Sequence, residues 1–311
     1  LGVSRADVVI EAIFEDADVK RNLYRLLEPQ MRPDAILATN TSSIPLKELR
    51  TALVKPDRLV GLHFFNPVAK MQLVEIVRDT ETDSSVVANA TAFARKIDRL
   101  PLPVSGTPGF LVNRILMPYL LEAVTLEAEG VAATEIDRQA LAFGMPMGPV
   151  ELADTVGLDI CLHVAEILSE HMDTTVPQRL RDLVEAGNLG RKSGEGFYQY
   201  SKGKVVKSKE TQIHRGGHEI IDRMILRMLN EVVACLREKV VDEADLLDGG
   251  MVYGTGFAPF RGGPLHHIET VGADVLYERL QELEQKYGSR FQPDPGWEQV
   301  SGFTSTENGD G

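Results

Sequence analysis

The hydrophobic period of the chain changes at Pro108, and that change limits the fold more than any single motif. Before it, apolar residues come in short, nearly continuous runs: Val8-Val9-Ile10 with Ala12-Ile13, then residues 35–39, 58–65 and 71–77. Such runs read as strands buried on both faces. Helical stretches separate them. Asp16 can cap a helix whose apolar positions Val19, Leu23, Leu27 and Met31 close before Pro33, Pro45 opens a short helix, and residues 84–97 form a third. Residues 100–104 make a last extended piece. Strands alternating with helices imply a mostly parallel sheet. Beyond Pro108 long helical periods rich in Ala, Leu, Glu and Arg take over. The expected fold class is therefore α/β followed by all-α.

The helical part repeats itself. Arg114, Leu120 and Glu122 recur as Arg223, Leu229 and Glu231 at the same spacing. Gly148-Pro149 followed by Thr155-Val156-Gly157-Leu158-Asp159 recurs as Gly263-Pro264 followed by Thr270-Val271-Gly272-Ala273-Asp274. Two amphipathic helices could share the first pattern by chance, but not both patterns together, so a duplicated helical unit is read here. Between the copies lie Gly190-Arg191-Lys192-Ser193-Gly194-Glu195-Gly196-Phe197-Tyr198 and the basic stretch with Lys202, Lys204, Lys207 and Lys209, a linker by composition. Residues 302–311 are polar and Gly-rich with no apolar face, and are expected to be disordered.

A formal net charge of -13 over 311 residues, with no basic stripe to offset it, argues against a nucleic-acid or anionic-membrane partner. No apolar run approaches the length of a membrane span, and a cytoplasmic protein is expected. Cys161 and Cys235 sit in helical stretches without Cys-x-x-Cys spacing, which reads as buried free thiols in a reducing compartment. No metal set is found. The adjacent His266 and His267 face different sides of a helix and are read as a surface pair.

The chemistry gathers between Asn40 and Glu75. His63 ends an apolar strand and Glu75 falls on the next one, where a buried carboxylate can fix the imidazole tautomer. A His-carboxylate pair is a common general base, worth roughly 10²- to 10⁴-fold in rate. A packed, hydrogen-bonded core histidine is the structural alternative. Asn40-Thr41-Ser42-Ser43 follows a strand, and either caps the helix at Pro45 or faces a ligand. Asn113 lies in a strongly apolar helix, where its carboxamide needs a ligand carbonyl or a neighbouring backbone group. No Gly-x-Gly-x-x-Gly, Walker, His-Glu-x-x-His or Gly-x-Ser-x-Gly motif occurs.

Four strings carry a resemblance: Thr39-Asn40-Thr41-Ser42-Ser43, His63-Phe64-Phe65-Asn66-Pro67, Thr107-Pro108-Gly109-Phe110-Leu111-Val112-Asn113-Arg114, and the Gly190 to Tyr198 stretch. In wording and spacing the chain resembles the L-3-hydroxyacyl-CoA dehydrogenase family. With its second helical copy it is most similar to the dehydrogenase part of a multifunctional fatty-acid oxidation complex α-subunit. The resemblance implies NAD-dependent oxidation of (S)-3-hydroxyacyl-CoA to 3-oxoacyl-CoA in fatty-acid β-oxidation. It makes His63 the base and Glu75 its orienting partner, with Ser42 and Asn113 positioning the substrate. Ile13, Phe14, Glu15, Lys20, Ser42, Asn66 and Lys192 would line the NAD, and Tyr253 would reach the substrate.

The same resemblance implies that residues 1–105 are the C-terminal part of a Rossmann-like dinucleotide-binding domain. Its first strands and Gly-rich loop are missing, and weak NAD binding is expected of this chain alone. Residues 106–200 and 201–301 would be the two helical copies, with 302–311 a tail. The alternative is a catalytically incompetent fragment that serves as an assembly module for a thiolase partner.

Overall fold

A computed structural model describes residues 2–42, 44–172, 174–206 and 217–301. Two compact units emerge, one of residues 1–111 with 239–246, the other of 112–238 with 247–311.

The first unit is built on a five-stranded sheet in the order β1 Val8–Glu11, β2 Ile36–Thr39, β3 Leu59–Phe64, β4 Leu73–Arg78, β5 Leu100–Ser105. Every neighbouring pair is parallel except β3 with β4, so the sheet is mostly parallel as the alternation implies. One face is an apolar core of Ile36, Ala38, Val60, Leu62, Val74 and Ile76 packed on Ala90 and Ala94. Those alanines belong to a helix over Ser84–Lys96, and their small side chains let it lie close to the strands.

Helix α1, Ala17–Leu27, starts where Asp16 caps it by accepting from the Val19 N–H at 2.9 Å. Its inward face differs from the apolar spacing read in the sequence. Val19 is 46% exposed, while Lys20 and Tyr24 are buried. The cause is Glu11, a carboxylate buried at the end of β1. It accepts from Lys20 Nζ at 2.7 Å, Tyr24 OH at 2.8 Å, Thr39 Oγ1 at 2.9 Å and the Ile13 N–H at 2.7 Å. A buried charge requires such donors, and that requirement overrides the apolar stripe. Helices α2, Leu46–Leu49, and α3, Ser84–Lys96, complete the unit. Residues 239–246 return to it through the Ser105 N–H, which donates to the Val240 carbonyl at 2.8 Å, and the ion pair of Arg78 with Asp242 at 2.7 Å.

The second unit is helical: α4 Val112–Ala128, α5 Ala133–Phe143, α6 Pro149–Val156, α7 Leu158–Ser169, α8 Gln178–Glu185, then α9 Gly217–Arg237, α10 Ala244–Thr255, α11 Pro264–Val271, α12 Ala273–Tyr287 and α13 Trp297–Ser301. The first residues of α10 fall in the other unit. The duplication read in the sequence is present as structure. Helices α4 and α9 run antiparallel, with Arg114 Nε 2.6 Å from Glu231 and Arg223 Nε 2.7 Å from Glu122.

Asp137 on α5 accepts from the Val150 and Glu151 N–H groups that open α6, and Asp248 on α10 accepts from the Leu265 and His266 N–H groups that open α11. A carboxylate at a helix N-terminus satisfies its unpaired donors and its dipole. Gly148 and Gly263 sit against these caps, where an added Cβ would meet Asp137 or Asp248 atoms at 2.1 and 2.3 Å.

Two expectations are corrected in this unit. The stretch at Gly190 is not a linker but a folded turn, carrying bridges from Glu195 to Gly190 and Gln199 and the hairpin of β6 Tyr200–Ser201 with β7 Lys204–Val205. Buried Asp154 holds it by accepting from the Phe197 and Tyr198 N–H groups at 3.0 and 2.9 Å and the Tyr200 hydroxyl at 3.1 Å. Nor are His266 and His267 a surface pair, for His267 is buried between Phe143 and Phe257. Lys207, Lys209 and residues 302–311 lie outside the described residues. Cys161 and Cys235 are buried free thiols, as read. Among the described residues no helix is long and apolar enough to cross a membrane, and no cluster could hold a metal.

Candidate active site

His63 and Glu75 are brought together by the single antiparallel pair of the sheet, because the β3–β4 register sets them directly opposite each other. Nδ1 of His63 is 2.6 Å from Oε2 of Glu75, and both side chains are buried. The other carboxylate oxygen of Glu75 accepts from the Leu111 N–H at 3.0 Å. That N–H is aimed by a turn in which Gly109 and Phe110 both take positive φ, 74° and 53°. Strain at a non-glycine residue of this kind persists only where the surroundings impose it, and it costs about 1–3 kcal/mol. Here the Phe110 ring lies 5.4 Å from the imidazole and Phe65 lies 4.7 Å from it on another side. The carboxylate thus occupies Nδ1 and two aromatic rings fix the ring plane, which leaves Nε2 as the atom that can take or give a proton.

A second polar group stands at the ends of β1 and β2. Glu15, 30% exposed at its side chain, accepts from Thr41 Oγ1 at 2.5 Å and the Ser42 N–H at 3.0 Å and pairs with Lys20 at 3.3 Å. Burial pushes this carboxyl up, but the Thr41, Lys20 and Ser42 interactions outweigh it and hold it below the ordinary range. Asn40 Oδ1 accepts from the Phe64 N–H at 3.0 Å and ties the turn to the strand that carries His63. Thr41 Oγ1 accepts from the Ile44 N–H at 2.9 Å and closes the turn, but α2 follows Pro45 without a side-chain cap, so the turn does not cap that helix.

Next to Glu15, Ile13 and Phe14 are 40% and 81% exposed. Exposed apolar surface beside an oriented carboxylate and a serine, at the carboxyl ends of parallel strands, is the donor set that suits a planar ring carried on a ribose. The residues present fit the nicotinamide half of NAD. Lys20 is 1% exposed and bound to Glu11 and Glu15, so it orients Glu15 rather than presenting its own charge. Asn66 is exposed just after β3.

Asn113, Lys192 and Tyr253 belong to the second unit. Asn113 is half-buried in the first turn of α4, Lys192 pairs with Asp159 at 2.5 Å, and Tyr253 is 52% exposed on α10. Sequence reasoning missed Glu11 and the Leu111 amide. An acid closing an apolar run, Val8-Val9-Ile10-Glu11, was the available signal for the first, whereas a backbone donor carries none.

The fold and this site define a two-part chain, an α/β unit of the dinucleotide-binding kind with a buried His-carboxylate pair, and a duplicated helical unit. Residues 2–107 match the NAD binding domain of 3-hydroxyacyl-CoA dehydrogenase, and residues 109–200 and 220–307 match the C-terminal domain of the same enzyme. The chain belongs to the 3-hydroxyacyl-CoA dehydrogenase family.

It is 37% identical over 310 residues to a fatty acid oxidation complex subunit alpha of Shewanella sp. (strain ANA-3), covering 94% of this chain and 44% of that one. The chain therefore spans less than half the length of that relative. A crystal structure of 3-hydroxybutyryl-CoA dehydrogenase from Escherichia coli K12 aligns with a TM-score of 0.84 and 26% identity over 98% of this chain and 83% of that one. The dehydrogenase part of multifunctional enzyme 1 from C. elegans aligns with a TM-score of 0.66 and 27% identity over 96% and 72%.

Proposed function

We propose that the protein oxidises (S)-3-hydroxyacyl-CoA to 3-oxoacyl-CoA in fatty-acid β-oxidation, with His63 as general base. The observation that carries this reading is the 2.6 Å His63–Glu75 pair on the matched NAD-binding domain. In the oxidative direction Nε2 of His63 takes the proton of the substrate 3-hydroxyl. The imidazolium that forms is stabilised by the Glu75 side chain, which the Leu111 N–H also holds in place. Bound NAD supplies the hydride acceptor. Ser42 steadies the reacting oxygen, Glu15 takes the nicotinamide ribose, and Ile13 and Phe14 give the ring an apolar wall. Asn66 and Lys20 support that subsite. On the second unit we assign Asn113 and Tyr253 to the acyl-CoA and Lys192 to the cofactor.

We read the domains as 1–105, 106–200 and 201–301. The name of the Shewanella relative, subunit alpha of a complex, supports assembly with a further subunit; we take a thiolase as the candidate and the cytoplasm as the compartment. The test is reduction of acetoacetyl-CoA by NADH with wild type and His63→Ala. A loss of roughly 10²- to 10⁴-fold is expected. Equal rates would reject the catalytic reading in favour of an assembly module.

A further inference from the structure

Glu11 is the last residue of β1, and its side chain is fully buried, yet its two oxygens serve different parts of the first unit. Oε2 accepts from Tyr24 OH at 2.8 Å and Thr39 Oγ1 at 2.9 Å, both buried in the core between α1 and β2. Oε1 accepts from the Ile13 N–H and from Lys20 Nζ, each at 2.7 Å, and both of these lead to the subsite assigned to the nicotinamide ribose.

Lys20 Nζ stands among three acceptors of one short segment: Glu11 Oε1 at 2.7 Å, Glu15 Oε2 at 3.3 Å and the Ile13 carbonyl at 3.5 Å. An ammonium has three protons to give, so it closes residues 11–15 into a loop around itself. A buried ammonium also needs a counter-charge, and Lys20 is 1% exposed. Coulomb attraction rises as distance falls, so the nearer Glu11 takes the larger part of that charge and Glu15 the smaller. Were Glu11 neutral, Glu15 would be left to answer the ammonium, and Lys20 would draw it inward.

The base is held by other residues. Asn40 Oδ1 accepts from the Phe64 N–H next to His63, and the Leu111 N–H donates to Glu75. Glu15 is fixed on its Oε1 side by Thr41 Oγ1 and the Ser42 N–H, and on its Oε2 side it meets Lys20. A change confined to the Glu11 side chain therefore reaches Glu15 through Lys20 and bypasses the His63–Glu75 pair.

We infer that Glu11 is a positioning residue for the cofactor: by taking the larger share of the Lys20 charge it sets where Glu15 stands and how strongly that carboxylate accepts from the nicotinamide ribose. The inference rests on the reading of Glu15 as the ribose acceptor.

The experiment is steady-state reduction of acetoacetyl-CoA at varied NADH, with fluorescence titration of NADH, on wild type, Glu15→Gln, Glu11→Gln, the double variant and Tyr24→Phe. Glu15→Gln is expected to raise the KM and Kd for NADH about tenfold. Glu11→Gln is expected to raise both about fivefold or more, with kcat and the KM for acetoacetyl-CoA changing far less. In the double variant Glu11→Gln should add nothing to the loss caused by Glu15→Gln, because it acts through that residue. Tyr24→Phe, which removes a donor from the other oxygen, should lower Tm and leave the KM for NADH as in wild type. If Glu11→Gln does not fold, Glu11→Gln with Lys20→Met removes both charges and takes its place in the same comparison, with the same expected loss. An unchanged KM for NADH in Glu15→Gln overturns the reading of Glu15 and this inference with it. A loss in Glu15→Gln beside a wild-type KM in Glu11→Gln, losses that multiply in the double variant, or an equal rise in Tyr24→Phe overturns the inference alone.

Discussion

His63 and Glu75 are joined across the only antiparallel strand pair of the five-stranded sheet, Nδ1 to Oε2 at 2.6 Å. Reversal of a single strand sets these two residues opposite each other, and the turn at Gly109 and Phe110 then secures the carboxylate from behind. Glu75→Gln keeps the shape but replaces the acceptor that matches a protonated imidazole. It is expected to lower kcat by roughly 10²-fold or more with little change in KM, measured in steady-state kinetics with acetoacetyl-CoA and NADH. An unchanged kcat would remove Glu75 from the mechanism.

The reciprocal ion pairs between α4 and α9 are expected to matter unequally. Arg223 and Glu122 are 3% and 2% exposed at their side chains, against 10% and 13% for Arg114 and Glu231. Glu122→Ala removes one acceptor from Arg223 and Arg290 but leaves them Glu129, and is expected to cost about 1–3 kcal/mol in urea unfolding.

Gly148→Ala and Gly263→Ala test the duplicated caps. Each new methyl would enter the capping carboxylate, and Gly263 also has φ of 125°. Losses of about 2 kcal/mol or more are expected, the larger at Gly263 because strain adds to the clash. Gly2→Ala, with open space around it, is the control and is expected to be neutral.

His267 makes stability depend on pH. Its folded pKa is lowered to about 4, so between that value and the ordinary histidine range the unfolded chain binds a proton that the folded chain does not. Stability is full above that range and falls as the pH drops toward 4. His267→Leu, which copies Leu152 of the first helical unit, is expected to lose on the order of 2 kcal/mol of this dependence. The readout is the difference between wild-type and variant urea midpoints at pH 7 and pH 4.5. Asp137, whose carboxyl burial pushes up to about 6, acts in the opposite sense but equally in both proteins, so it cancels from the comparison.

Much of this protein was legible in the order of its residues. The short apolar runs determined the strands of the sheet, the change of period at Pro108 the passage to helices, and the repeated Arg-Leu-Glu and Gly-Pro patterns the duplication, because each depends on neighbours within a few turns of chain. The tertiary structure alone decided the rest. Lys20 and Tyr24 face inward because Glu11 lies under them. The Gly190 turn is folded because Asp154 collects its backbone donors. Asp137 and Asp248 play one role at different distances from Gly148 and Gly263, so a fixed-period comparison passes over them. His267 is buried because Phe143, far from it in the chain, closes over its ring. In each case a charge or polar group is answered by a residue remote in sequence, and hydrophobic periodicity, which reports only how a segment divides between core and water, carries no record of that partner.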